Sequence, residues 1–325
     1  MGNNTPYDDV FRTLLTDCTR LAIPLINEMF GVSYPDDVSI TLRNNEHFLV
    51  AEDSDGKDRE VVSDSNLLVD LPDGPVVYHI ECQSTPDGSM ALRLFEYNVA
   101  IAMEDSSLDN ETLTIRFPRS GVIYLREGRN IPERFEIVLQ TPGSPDWRYN
   151  IEVLSISDYS LDALIARRLL FLVPFHLFTY ERHLARYNDD DAALAGLLAE
   201  YTRLRRILDD LASGGEVDGY VKSTIVDMTN KVAENLAKKY DRVVEGVRKT
   251  MGGQVLEYEA KTILREGEAR GFAKGEARGF AKGKAEGQIE TLAKLVARGN
   301  ITSEIAAEMA GMTVEEFTSK AASVA

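Results

Sequence analysis

Two carboxylates and an amide, placed on neighbouring predicted strands, are the clearest chemical signal in the sequence. Asp64 lies in the segment REVVSDSNLLVDL, and Glu81 and Gln83 lie in PVVYHIECQS, with an Asp-Gly tight-turn pair between the two segments. A hairpin turning at that pair brings Asp64 back beside Glu81. Because residues alternate faces along a strand, Glu81 and Gln83 project to one side while Cys82 points into the core. We therefore expect the two carboxylates to meet at the end of a sheet.

The types of these residues indicate which metal they would bind. Oxygen ligands without His or Cys side chains suit Mg²⁺ or Mn²⁺ rather than zinc. The candidate ligands are the carboxylates of Asp64 and Glu81 and the backbone carbonyl of Cys82, which borders the same site. A cation held there would lower the pKa of a bound water and stabilise the charge that develops on a phosphodiester. The pattern therefore favours metal-dependent phosphodiester hydrolysis.

The charge distribution opposes binding to DNA at this end of the chain. Residues 1–110 contain 21 Asp and Glu against 6 Lys and Arg, a balance of −15 within the total of −17. Clustered acidity is compatible with metal binding, but it repels a phosphate backbone, whose affinity comes largely from Lys and Arg. We expect arginines on the later predicted strands to supply part of the affinity for DNA. They are Arg116, Arg119, Arg126, Arg129 and Arg134.

Hydrophobic periodicity predicts an α/β first half and a helical second half. A helix is predicted over 7–30, with Pro24 expected to kink or split it, and another helix over 90–103. Long helical patterns cover 161–187 and 190–265. The predicted strands are 38–44, 46–53, 59–71, 75–84, 112–118, 121–127, 134–140 and 148–156.

An internal repeat follows, in which GEARGFAK at 267–274 recurs at 275–282 and glycine occupies every fourth position from 267 to 287. A period of four excludes collagen and suits a helix with a small-residue face, although a flexible charged linker is the alternative. Such a helix needs a packing partner, which could be the same segment of a second copy of the chain or equally the protein's own helical middle. After it, Gly311 and the capping box Thr313–Glu316 predict a terminal helical hairpin.

The combination of these segments resembles a known family. The blocks SDSNLLV and YHIECQSTPDGSMALRLFEYNVAIAME, the opening YDDVFRTLL and the closing glycine repeat are similar to the PD-(D/E)XK family of bacterial recombination-promoting nucleases and transposases. The resemblance implies that Asp64 and Glu81 are metal ligands and that Gln83 stands where the family motif usually has lysine. Ser63 stands where the motif has proline.

The resemblance also implies supporting residues on two helices. An acidic residue near the start of the first helix falls on Asp8 or Asp9, which the sequence does not distinguish. Arg93 and Tyr97, four residues apart on one helical face, are candidates to grip the phosphate backbone. His79 shares the face of Glu81 by strand alternation, and we expect it to be a structural residue rather than a ligand.

We therefore expect an α/β fold with a PD-(D/E)XK, restriction-endonuclease-like core and a helical C-terminal extension. The expected parts are 1–156 (nuclease-like domain), 157–265 (helical region), 266–288 (repeat helix or linker) and 289–325 (helical hairpin). The expected function is Mg²⁺- or Mn²⁺-dependent endonuclease cleavage of DNA. The alternative is a catalytically inactive interaction or assembly protein that retains the nuclease fold.

Composition sets the expected location and assembly. No stretch approaches the eighteen consecutive apolar residues that indicate a membrane-spanning helix. The first residues lack both the basic and the apolar segment of a secretory signal, and the two cysteines form no disulfide framework. We expect a cytoplasmic protein without membrane contact, and a homodimer formed through the C-terminal helical region.

Overall fold

A computed structural model of the chain describes residues 5–43, 46–52, 58–85, 88–128, 131–252, 296, 302–310, 314 and 317. The chain divides into two compact units, Met1–Gln254 and Val255–Ala325. The glycine repeat over 267–287, the Thr313–Glu316 capping box and Arg129 lie outside the described residues.

The first unit is built on a six-stranded mixed sheet, within the residues that the structure describes. The strands follow the order β1-β4-β5-β8-β10-β9. The central pairs β5–β8 and β8–β10 are parallel, while the outer pairs are antiparallel. The mixed α/β class expected from the sequence is therefore confirmed. The strands of this sheet are β1 (Ile40–Leu42), β4 (Leu67–Val69), β5 (Val76–Gln83), β8 (Arg119–Tyr124), β9 (Arg134–Leu139) and β10 (Trp147–Ser155).

Two strand predictions were wrong in their extent. The segment 59–71 is divided between β3 (Asp58–Val62), which pairs with β2 (Glu46–Glu52) in a separate two-stranded sheet, and β4, which alone pairs with β5. The segment 112–118 forms only β7 (Thr112–Thr114), which pairs with β6 (Ser107–Asp109) in an exposed ribbon.

The first helix is also divided differently from the prediction. A Thr5–Asp8 capping box begins α1 (Pro6–Asp17), and a short 3-10 turn precedes α2 (Ala22–Phe30). The break therefore lies before Pro24, which sits in the first turn of α2. A proline in that position is tolerated because the first turn of a helix lacks intrahelical partners for its N–H groups.

Helices cover both faces of the sheet. One face packs α1 and α2 together with the helices of the second half, which share one core with the strands. The other face packs α3 (Met90–Glu104) over Val122, Tyr124 and Ile151. The region expected as a separate helical part from residue 157 therefore belongs, up to residue 252, to the same compact unit as the sheet.

The helices after β10 are shorter than the periodicity predicted. The pattern over 161–187 is broken because the buried segment Leu170–His183, with Pro174 inside it, adopts a 3-10 conformation between α4 and α5. No helix among the described residues is long and apolar enough to cross a membrane. The helices are α4 (Leu161–Ala166), α5 (Leu184–Asp189), α6 (Asp191–Ser213), α7 (Gly219–Leu236) and α8 (Asp241–Met251) in the first unit, and α9 (Ser303–Ala310) in the second.

Candidate active site

Asp64 and Glu81 meet at the edge of the paired strands β4 and β5. The β4–β5 register pairs Leu67 with Tyr78, and continuing it places Asp64 opposite Glu81. The backbone N–H of Asp64 donates to Glu81 Oε1 at 2.8 Å, and the backbone N–H of Cys82 donates to Asp64 Oδ2 at 3.1 Å. Each carboxylate is thus held by the backbone of the opposite strand, and the two are brought together as the sequence predicted.

A buried serine explains why the chain leaves the strand ladder just before β4. Ser65 Oγ accepts from the backbone N–H of Ile80 and donates to the carbonyl of the same residue, both at 2.7 Å. The side chain therefore replaces the hydrogen bonds that a continuous ladder would make.

Burial and neighbouring charge oppose ionisation of Asp64. Its pKa is raised to about 8, first because it is buried and second because the Glu81 carboxylate lies beside it, with Asp8 adding to the effect. The Cys82 N–H and the Arg12 guanidinium act in the opposite direction. Burial, followed by the Glu81 charge, also raises the pKa of Tyr97. A divalent cation bound by these residues would offset both the burial and the neighbouring charge that oppose ionisation of Asp64.

A chain of buried polar side chains holds Glu81 from behind. His79 Nε2 lies 2.9 Å from Glu81 Oε1, and its Nδ1 lies 2.8 Å from Asn98 Oδ1. Ser120 Oγ donates to Asn98 Oδ1 at 2.7 Å, and Asn98 Nδ2 donates to the Tyr149 hydroxyl at 3.4 Å. His79 is therefore a structural support of the site, in line with its expected role.

Sequence reasoning missed Asn98, Ser120 and Tyr149 in this chain. A signal for one of them was present. Asn98 interrupts the apolar stripe of α3, since it is fully buried on the same face as Met90 and Leu94. A buried polar residue within such a stripe needs a hydrogen-bond partner, and therefore marks a network.

Arg93 and Tyr97 reach the same site from α3. The Arg93 Nη2 lies 3.9 Å from Glu81 Oε2, and its guanidinium carbon lies 5.8 Å from the centroid of the Tyr97 ring. The Tyr97 ring packs edge-on against His79, with their centroids 5.7 Å apart. The structure therefore brings both predicted phosphate contacts to the carboxylate pair.

The structure separates the two acidic residues at the start of α1. The Asp8 carboxylate accepts from the Thr5 N–H at 2.6 Å, and its charge contributes to the raised pKa of Asp64. Asp9 is half exposed, and its Oδ2 lies 3.6 Å from Lys231 Nζ on α7. Asp8 is therefore the residue close to the carboxylate pair, while Asp9 faces the helical half.

Gln83 and two of the predicted DNA-binding arginines make hydrogen bonds within the first unit. The Gln83 amide donates to the Thr85 carbonyl at 2.9 Å. Arg119 donates to the Phe30 carbonyl, and Arg126 donates to Ser84 and Glu181. These two arginines make contacts within the unit, although Arg119 is exposed, as are Arg116 and Arg134.

The donor atoms at the pair fit a hard cation that retains water ligands. Among the described residues, no three His, Cys, Asp or Glu side chains form a ready-made metal cage. Mg²⁺ commonly binds through one or two carboxylates and keeps several waters. Asp64 and Glu81 supply those carboxylates. The Cys82 N–H faces Asp64. Because the N–H and the carbonyl of one residue in a β-strand point to the same side, the Cys82 carbonyl also points to the side of Asp64.

Comparison with protein-family models, with curated proteins and with solved structures found no match to this chain. The geometry of the carboxylate pair and its neighbours is therefore the basis for assigning a function.

Proposed function

We propose that this chain is a Mg²⁺- or Mn²⁺-dependent DNA endonuclease of the PD-(D/E)XK type. The observation that carries the proposal is the carboxylate pair, in which Asp64 and Glu81 approach from opposite strands and each accepts a backbone N–H of the other strand. A site made only to stabilise the fold gains little from placing Glu81 beside Asp64, because the Glu81 charge makes the buried Asp64 harder to ionise.

The elements around the pair support the same assignment. Helix α1, the antiparallel strands β1, β4 and β5, helix α3 and the parallel strand β8 surround the two carboxylates in that chain order. This order fits the restriction-endonuclease-like core that the sequence resemblance implies. Strands β9 and β10 extend the sheet on the side of β8 away from the pair.

Each residue then has a defined role. Asp64, Glu81 and the Cys82 carbonyl would hold the cation, which when bound supplies Lewis-acid stabilisation of charge on the phosphodiester. Gln83 would orient the attacking water after releasing the Thr85 carbonyl. The Arg93 guanidinium, stacked near the Tyr97 ring, would hold a phosphate oxygen.

The negative charge of the first third favours a second candidate, an inactive interaction or assembly protein. The balance of −15 over residues 1–110 repels DNA, and two of the arginines expected to offset it are engaged internally. An inactive protein, however, gives no reason for the adjacent carboxylates of Asp64 and Glu81. This is why we favour the nuclease.

The test is incubation of the purified protein with supercoiled and linear DNA in the presence of Mg²⁺, Mn²⁺ or EDTA. We expect nicking with either metal and none with EDTA. Asp64→Asn and Glu81→Gln remove the charge but keep the shape, and each should reduce the rate by about a hundredfold or more. Asp70→Asn is the matched control, because this carboxylate just after β4 is exposed and accepts a hydrogen bond from Ser39.

Circular dichroism must show that the three variants are folded. Cutting by both site variants at the wild-type rate would place the active site elsewhere. Absence of cutting by the wild type, together with DNA binding that is absent or insensitive to salt, would favour the interaction protein.

A further inference from the structure

Arg12 belongs to the same site, although nothing in the sequence pattern singled it out. It lies in the middle of α1, four residues after Asp8 and therefore on the same face of the helix. Its neighbours Phe11 and Leu14 are fully buried, so packing fixes the position of its backbone. The Arg12 Nη2 lies 3.4 Å from Asp64 Oδ1, and the side chain is 37% exposed.

The contact between Arg12 and Asp64 is loose. A single N···O distance of 3.4 Å is longer than the usual range for an N–H donor to oxygen. The Arg12 Nε is buried and has no hydrogen-bond partner among the described residues. By contrast, Arg126 donates from both Nε and Nη2 to Glu181, at 2.7 and 2.8 Å. The Arg12 guanidinium therefore has hydrogen-bonding capacity that its contact with Asp64 does not use.

The acidic groups of the site oppose the entry of a phosphate, so binding a phosphate there requires nearby positive charge. Asp8, Asp64 and Glu81 are three acidic groups, and Gln83 adds no positive charge at the position where the family motif has lysine. Arg12 on α1 lies near Asp64, and Arg93 on α3 lies near Glu81. A phosphate entering the site would therefore meet two guanidinium groups.

We propose that Arg12 is a phosphate-binding residue of this site and supplies the positive charge that Gln83 lacks. The inference rests on the proposed nuclease function and names the substrate group that Arg12 contacts. Arg12 would exchange Asp64 Oδ1 for the oxygens of a DNA phosphate once the carboxylate engages a cation. The guanidinium is suited to this exchange because its donor fork matches phosphate as well as carboxylate.

The experiment compares Arg12→Gln and Arg12→Lys with Arg20→Gln in the full-length protein. Arg20 is an exposed arginine of the turn after α1 that donates a long, 3.5 Å hydrogen bond to the Asp37 carbonyl, so it controls for the loss of one charge. Binding to a fluorescent DNA duplex is measured by anisotropy over a range of salt concentrations. Ca²⁺ replaces Mg²⁺, and a gel confirms that the duplex stays intact. Calorimetry with Mn²⁺ alone and cleavage with Mg²⁺ complete the set.

We expect Arg12→Gln to reduce the salt slope of DNA binding by about 0.9, the value for one lost phosphate contact. Arg12→Lys should keep most of that slope, because lysine still neutralises a phosphate. Cleavage by Arg12→Gln should fall by about tenfold to a hundredfold. Its affinity for Mn²⁺ should stay the same or increase, because a competing cation has been removed from Asp64.

A purely structural role gives the opposite pattern. If Arg12 only holds Asp64 in place, Arg12→Gln will weaken Mn²⁺ binding and leave the salt slope equal to that of Arg20→Gln, which overturns the proposal. If the wild type cuts DNA and Arg12→Gln cuts it at the same rate, the proposal for Arg12 is overturned and the nuclease function stands. If the wild type does not cut DNA, the nuclease function fails, and the salt slope still decides whether Arg12 contacts phosphate.

Discussion

At the scale of single residues, Asp64 is subject to opposing effects. Backbone geometry fixes its position, because Oδ2 accepts the Cys82 N–H and its own N–H is bound by Glu81. Burial and the Glu81 charge raise its pKa to about 8, so the pair without a cation retains a proton at neutral pH. The same arrangement that assembles the site therefore makes its charged form dependent on a counter-ion.

This dependence predicts how stability changes with pH. Because the pKa of Asp64 is about 8 in the folded protein and near 3.8 in the unfolded chain, the folded state binds the proton more tightly. The free energy of unfolding should therefore fall as pH rises from about 4 to about 8, by at most about 1.4 kcal/mol per pH unit from this group. Asp64→Asn should remove this contribution.

Urea unfolding at several pH values, without divalent cations, measures the effect as the difference between wild type and Asp64→Asn. Asp70→Asn should keep the wild-type slope. Adding Mg²⁺ at pH 8 should stabilise the wild type and not Asp64→Asn, since the cation favours the ionised pair. Identical pH slopes for Asp64→Asn and the wild type would contradict the raised pKa.

At the scale of elements, the helical half braces the loop that follows β5. The Arg126 Nη1 donates to the Ser84 carbonyl at 3.0 Å, next to Gln83 at the end of the strand. The same guanidinium forms a two-bond pair with Glu181 of the 3-10 segment and lies 5.0 Å from the centroid of the Phe178 ring. Residues distant in sequence therefore set the position of the strand end that carries the site.

Removing the partner of Arg126 should loosen this brace. Glu181→Gln leaves a partly buried guanidinium without its counter-charge, and we expect the free energy of unfolding to fall by about 1–3 kcal/mol. Glu136→Gln is the control, because its pair with Arg148 is about half exposed on both sides and should contribute less than about 0.5 kcal/mol. Equal effects of the two substitutions in urea unfolding would show that the Arg126–Glu181 pair does not brace the loop.

At the scale of the whole molecule, residues 1–254 form one compact unit in which α1 and α2 share a core with α6, α7 and α8. The helices after β10 therefore complete the fold of the sheet. In the second unit, α9 buries Ala306 and Ala307, and Phe317 is also buried. A chain that ends at Gln254 therefore keeps every residue of the core that the sheet and helices of the first unit share.

We predict that the full-length protein is a dimer and that a chain ending at Gln254 is a monomer. The glycine-every-fourth repeat is the reason, because its small-residue rows allow two helices to approach closely and compensate for poor helix propensity. Light scattering on both chains gives the mass per particle, and circular dichroism checks that the shorter chain is folded. The same number of chains per particle in both samples would leave the repeat as a linker.

The sequence by itself determined the local arrangement of the site. Strand alternation and an Asp-Gly turn were sufficient to bring Asp64 beside Glu81 and to bury Cys82, because both depend on residues close together in the chain. Helical spacing was likewise sufficient to place Arg93 and Tyr97 together on α3. Strand patterning misplaced the start of β4, because the ladder ends where the Ser65 side chain bonds the Ile80 backbone.

Only the tertiary structure decided which distant groups join that local arrangement. Arg12 reaches Asp64 across 52 residues, and Arg126 reaches Glu181 across 55. The choice between Asp8 and Asp9 likewise depended on Lys231 of α7, which lies beside Asp9. Periodicity reports which face of an element is buried, but it carries no information on which other element packs there. Those partners are fixed by the packing of the complete core.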